Sequence, residues 1–239
     1  MPTTKFSVNN IDVIYNHKDF IVINKPYGLA CQGGKKVSQS IDEIFLKKNG
    51  ADFDYKLVHR LDMHTSGALI LAKYKNAAQK LCKLFETQNI HKNYIAIVKG
   101  NLNPKNGTIN LPLIKTSKSG REMMCISAKQ KNDAKSYKNA ITEYNTIDFL
   151  YKYLSLINIY PITGRKHQIR AHLDAVGNPI IGDGKYGGKD AFIENASNKL
   201  HLHCLKLDFE FKGKRISINA KVSQHIKETI QSYDLNFKY

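Results

Sequence analysis

The chain has 239 residues, 42% of them hydrophobic and 24% charged, which excludes disorder throughout. No apolar run approaches the roughly 20 residues of a membrane-spanning helix, and the opening Met-Pro-Thr-Thr-Lys-Phe-Ser lacks a signal-peptide core, so a cytoplasmic protein is expected. Thirty-seven Lys and Arg against 20 Asp and Glu leave a net charge of +17, which favours nucleic acid as partner over a membrane or a merely solubilising surface.

Strand signals come first, at residues 11–15 and 20–24, closed by the turn Lys25-Pro26-Tyr27-Gly28. Ser40 and Glu43 form a capping-box pattern that predicts a short helix with Ile41, Ile44 and Phe45 on one face, ended by Gly50. Residues 68–72 read as a buried strand. A helix is expected after Asn76, since Ala77, Ala78, Leu81, Leu84 and Phe85 recur at helical spacing.

Alternation at 94–98, 153–160 and 200–209 predicts half-buried strands. A helix opening after Gly164 would set Ile169, His172, Leu173 and Val176 on one side and close at Gly177; a last helix starts near Ser223. Between these, residues 115–138 carry seven Lys or Arg against Glu122 and Asp133 without clear periodicity, as either a solvated basic loop or a loop that contacts phosphate would. Strands outnumber helices and many follow one another directly. The expected fold is therefore α+β, a mixed and largely antiparallel sheet flanked by helices, with a short leader at 1–12 and one domain over 13–239.

The four cysteines stand far apart and form no Cys-x-x-Cys pair, so free thiols are expected rather than a zinc or disulfide framework. His-Glu-x-x-His is absent and no metal is expected. Gly177-Asn-Pro-Ile-Ile-Gly182 runs into Asp183 where a phosphate-binding loop needs Lys.

Two segments could carry chemistry. In residues 57–67, Asp62 has His59, Arg60 and His64 beside it, just ahead of a buried strand. Neighbouring cations keep a carboxylate ionised and fit for nucleophilic or basic work. A structural turn capped by Asp62 explains the same residues, and on spacing alone it is the simpler account. In residues 161–172, helical geometry would put His167 with Arg170 and Lys166 with Arg170 on shared faces. Such a group suits phosphate or a bidentate carboxylate, and equally an ordinary basic surface helix.

Together these segments resemble the RluA family of pseudouridine synthases. The resemblance is carried by His59-Arg-Leu-Asp62 with Thr65-Ser-Gly67, by residues 163–172, and by residues 177–183 with Tyr186-Gly187. Residues 23–28, 92–100 and Leu202-His203 add to it in the family's order. Lys166 stands where Thr or Ser is usual and Cys204 where Ala is common. Gly33-Gly34 and Ser119-Gly-Arg are most similar to the branch acting on large-subunit ribosomal RNA, with transfer RNA or both as the alternative. The small S4-type RNA-binding domain of many relatives is not expected here.

The resemblance implies an isomerase without cofactor or metal, a monomer acting on structured RNA. Asp62 would be the essential carboxylate, with Arg170 as its guanidinium partner and Tyr94 as the active-site tyrosine. Arg60 would fill the gap left by a flipped base, and His59, Arg165, Lys166 and His167 would contact RNA. A non-enzymatic basic RNA-binding protein would explain the charge but not the set Asp62, Tyr94 and Arg170. A glycoside hydrolase normally needs two carboxylates, and only one lies in a motif.

Overall fold

The computed structural model describes residues 6–34, 37–46, 54–118, 121–126 and 137–237. In chain order the strands and helices are β1 (Val13–Asn16), β2 (Phe20–Lys25), β3 (Lys56–Leu57), β4 (Ser66–Ala72) and α1 (Lys75–Glu86). There follow β5 (Ile90–Lys99), β6 (Asn106–Asn110), β7 (Leu113–Lys118), β8 (Arg121–Ile126), β9 (Ile141–Leu150) and β10 (Leu154–Pro161). The chain ends with α2 (Gln168–Ala175), β11 (Leu202–Phe211), β12 (Lys214–Asn219) and α3 (Gln224–Ser232). They form two compact units: Met1–Lys92 with His203–Ser223, and Asn93–Leu202 with Gln224–Tyr239. No helix among the described residues is long and apolar enough to cross a membrane.

In the first unit β2 pairs antiparallel with β1 and β4, and β12 with β11. β4 takes β11 as a parallel neighbour, with Ser66 opposite His203 and Gly67 opposite Cys204. All seven residues of β4 are buried, as an apolar run covered on both faces requires. The approach of the two strands is close. A Cβ on Gly67, whose φ is +112°, would lie 2.2 Å from the Cys204 carbonyl oxygen, so only glycine fits. α1 seats Ala77 and Leu81 in the core.

In the second unit β10 lies between β5 and β9, and β6 pairs with β9, all antiparallel. The stretch Pro179–Ile181 adds backbone bonds to β5, with Lys99 N–H donating to the Pro179 carbonyl and Ile181 N–H to Ile97. The mixed, mostly antiparallel arrangement agrees with the fold class expected from the sequence.

Local expectations needed four corrections. Neither residues 94–98 of β5 nor β10 is half-buried: the former five are all buried, and so are six of the eight residues of β10, the small Ser155 among them. The helix at Ser40 is a short π-helical turn, Asp42–Leu46. Its capping is done by Asp42, which accepts from the Gly33 and Glu43 amides and from the Ser40 hydroxyl; Gly50 lies outside the described residues. The basic stretch is in part a β-hairpin, with Leu113 paired to Ile126 and Lys118 to Arg121. Its strands are too polar to show a period. Residues 119–120 and 127–136, including the start of Ser119-Gly-Arg, lie outside the described residues.

The fourth correction concerns α2, which starts at Gln168 rather than just after Gly164. Gln168 holds the preceding turn open. Its side-chain oxygen accepts from the Thr163 hydroxyl at 2.6 Å and the Arg165 amide at 3.0 Å, and its amide nitrogen donates to the Ile141 carbonyl and the Thr142 hydroxyl. His167, at the N-cap, is left-handed with φ 52°, a conformation that costs a non-glycine residue about 1–2 kcal/mol. His167 and Lys166 therefore share no helical face with Arg170, and Val176 is exposed.

Candidate active site

Asp62 sits on the turn between Val58 and β4, partly accessible, with its carbonyl accepting from the Thr65 amide at 3.0 Å. The residues on either side of it are pinned from the first unit's interior. On one side, the Cys31 thiol and Leu61 backbone exchange hydrogen bonds of 3.3 Å in both directions. On the other, the Met63 carbonyl accepts from the Gly28 amide at 3.0 Å and from Lys25 Nζ at 3.2 Å. Beyond Thr65, the Ser66 hydroxyl and His203 Nδ1 are 2.8 Å apart.

Lys25 is the hub of this arrangement. It is 0% exposed, and Nζ also donates to the carbonyls of Pro26 at 2.9 Å and Leu29 at 2.7 Å. Three ammonium protons thus meet three carbonyls, joining the loop after β2 to the Asp62 turn. Burial pulls the Lys25 pKa down to about 8, opposed by the nearby Cys31 and Asp62, since desolvation penalises the charged form.

His59 is half-buried, with its ring turned toward the interior. Nε2 accepts the Ile70 amide proton at 2.9 Å, and the ring stacks on Phe85 with centroids 4.3 Å apart. Burial, aided by the Lys92 charge, lowers its pKa to about 3, so the ring is neutral near pH 7 and has no charge to offer a phosphate. Arg60 points the other way: it is exposed, with Nη1 donating to Gln32 at 2.7 Å.

In the second unit Tyr94 is buried on β5, opposite Ile159 of β10. Arg170, on the first turn of α2, is buried and bidentate on Asp183, with Nε and Nη2 each 2.7 Å from a carboxylate oxygen. The Tyr186 ring lies against the same guanidinium, 5.0 Å from centroid to carbon. The Tyr186 hydroxyl accepts the Met124 amide proton at 3.2 Å and is 2.9 Å from His167 Nδ1. Arg170 and His167 are thus joined through Tyr186, not along a helix face. Arg165 is exposed and donates from Nε to the Asn139 carbonyl at 3.1 Å, and Lys166 is exposed beside it.

Sequence reading had no role for Lys25, Asp183 or Tyr186, although all three stand in blocks that resemble the family. A signal was present for Lys25: a lysine two residues after the apolar run Phe20–Ile23, on the same strand, must either snorkel or find carbonyls.

The sequence profile described as RNA pseudouridylate synthase matches residues 19–175. The chain belongs to this family. It is accordingly an isomerase, an RNA pseudouridine synthase. Among curated relatives it is 38% identical over 210 residues to "Ribosomal large subunit pseudouridine synthase C" of Rickettsia prowazekii, covering 88% of this chain and 67% of the relative. It is 36% identical over 203 residues to "Dual-specificity RNA pseudouridine synthase RluA" of Vibrio cholerae, covering 83% and 77%. A solved structure, "Human RNA Pseudouridylate Synthase Domain Containing 4", shares the fold with a TM-score of 0.77 at 24% identity over 95% of each chain.

Proposed function

We propose that this synthase isomerises uridines in large-subunit ribosomal RNA. The observation that carries the reading is the similarity over most of the chain to relatives named for that substrate. The dual-specificity relative favours a second reading in which transfer RNA is also a target. Comparing pseudouridine maps of total RNA with and without the gene separates the two.

The reaction breaks the C1′–N1 bond, turns the uracil and forms a C1′–C5 bond; C5 gives up its proton and N1 finishes protonated. No electrons are exchanged. We assign Asp62 as the carboxylate of this reaction, Tyr94 as the aromatic that stacks on uracil and faces the proton in transit, and Arg170 as the fixed guanidinium. The pinned turn supports the role of Asp62, because a reacting carboxylate gains from being held in one place. Arg60, exposed two residues before Asp62, is suited to occupy the stack once uridine has left it. Arg165, Lys166 and His167 supply RNA contacts at the mouth of α2, whereas His59 supports the turn from inside. The +17 charge accounts for affinity. Residues 13–239 act as one catalytic domain after a short leader.

The direct test is Asp62→Asn, which keeps shape but neither charge nor basicity. Pseudouridine formation on a large-subunit ribosomal RNA transcript should fall below detection while RNA affinity stays within about twofold of wild type. Turnover near the wild-type rate would remove Asp62 from the chemistry.

A further inference from the structure

Resting on the assignment of Arg170 above, we infer that Asp183 and Tyr186 are its positioning residues, and that Tyr186 also ties the basic β7–β8 hairpin to the same group.

A guanidinium has five N–H donors in one plane. Asp183 takes two of them, from Nε and Nη2, in parallel bonds of 2.7 Å. Two parallel bonds fix the plane's rotation as well as its place, which a single bond or a lysine cannot do. The Tyr186 ring then bounds one face of that plane. Edge and face are both held.

The clamp itself stands on rigid backbone. Asp183 follows Pro179–Ile181, which bonds to β5, and the Asp183 carbonyl accepts the Gly187 amide proton at 3.0 Å. The side chains of Arg170 and Asp183 are 7% and 1% exposed, so water competes little with the pair. A buried ion pair of this kind adds little to stability against an apolar replacement. Its value here is geometric.

Tyr186 has a second contact at its other end. The hydroxyl receives the Met124 amide proton, and Met124 packs with Leu113, Ala140 and Ala171 in a small core against which Tyr186 lies. Met124 is on β8 and Ala171 on α2, directly after Arg170. The hairpin bearing Lys115 is therefore docked on the helix that carries the guanidinium, through the residue that shelves it. RNA phosphates drawn to the hairpin would find Arg170 already in register.

The test compares Asp183→Asn, Tyr186→Leu, Tyr186→Phe and Arg170→Lys in single-turnover reactions on a large-subunit ribosomal RNA transcript. RNA affinity and melting temperature are followed in parallel. Asp183→Asn should cut the rate at saturating RNA roughly 10- to 100-fold, the scale of a misplaced reacting group, with affinity within about twofold. Tyr186→Phe keeps the ring but loses the hydroxyl that holds Met124 and His167, so it should weaken RNA binding more than it lowers the saturating rate. Tyr186→Leu should lose both. In an Arg170→Lys background Asp183→Asn should cost little more, because the group it positions is gone. If Asp183→Asn does not fold, the two Tyr186 variants carry the same test.

Wild-type saturating rates for Asp183→Asn and Tyr186→Leu would overturn the inference. So would a loss from Asp183→Asn that multiplies undiminished with Arg170→Lys, or that follows the fall in melting temperature alone. A fully active Arg170→Lys would instead reject the assignment of Arg170 on which the inference rests.

Discussion

Asp62 and Arg170 are held by opposite means. The Asp62 turn is gripped through its backbone: carbonyls and amides of Leu61, Met63 and Thr65 are bonded, most of them to one buried ammonium and one thiol. Arg170 is gripped through its side chain, by a carboxylate along one edge and a tyrosine ring on one face. Backbone support suits the carboxylate role proposed for Asp62, because it fixes the turn without drawing on the side chain. A guanidinium has donors to spare and can give some to a clamp. The two regions should therefore fail differently when their supports are cut.

The sharpest contrast is expected from the clamped side. Arg170→Lys keeps the charge but forfeits the fork and leaves Asp183 half paired; activity should drop by about two orders of magnitude at saturating RNA. If the loss disappeared on lowering the salt, Arg170 would be a phosphate contact and the contrast would dissolve.

Lys25→Met tests the other side. The ammonium's three charge-assisted bonds are offset by the cost of its burial, so melting should shift by only a few degrees while the Asp62 turn loosens and the rate falls about tenfold. Wild type should also lose rate as pH rises through about 8, where Lys25 gives up its charge, and the variant should lack that limb. Stability should move the other way. Between the folded pKa of about 8 and the unfolded value of 10.5 the unfolded chain holds the extra proton, so this group makes unfolding harder as pH rises. A rate limb that survived in Lys25→Met would assign it to another group.

Arg60→Ala probes the exposed neighbour of Asp62. Extruding a stacked base costs a few kcal/mol, about nothing when it is already unpaired. The variant should lose several-fold more rate on a folded stem-loop than on a short unstructured RNA that still reacts. Equal losses, relieved at low salt, would make Arg60 a phosphate contact.

The smallest expected effect is common to both regions. Burial lowers the pKa of His59 to about 3 and of His201 to about 4, so both rings stay neutral in the fold near pH 6, and burial lowers His172 and His225 in the same direction. The unfolded chain takes up those protons near pH 6.5, so urea stability should decline steadily as pH falls from there toward about 4. His59→Phe, keeping the ring against Phe85, should flatten part of that decline while losing the Ile70 bond. A flat profile would mean that these rings are charged in the fold.

How much of this was legible in advance varied with the range of the interaction. β2, β4, α1 and α3 were readable because their signals are local: apolar runs of strand length and Leu81-type spacing reflect contacts each residue makes on one known side. The start of α2 was not, since it depends on Gln168 reaching Ile141 and Thr142. Nor was the β7–β8 hairpin, whose polar strands are held by pairing and by Met124 on Tyr186. Adjacent His59 and Arg60 looked equivalent as cations. Only the position of the Ile70 amide and Phe85 sends one inward and neutral and leaves the other exposed.

The order of motifs, Asp62 in a cationic turn before a buried strand, and the excess of basic charge were determined by the sequence itself, because composition and short-range spacing carry them. Tertiary structure decided that Lys25 is buried on carbonyls, that Asp183 meets Arg170 and what Tyr186 touches. Lys25 reaches across 38 residues to Met63, Arg170 across 13 to Asp183, and Met124 across 62 to Tyr186. One charged or aromatic residue reads like another along the chain. Burial separates them, since a desolvated charge needs a partner placed within about 3 Å, and only the folded backbone brings one there.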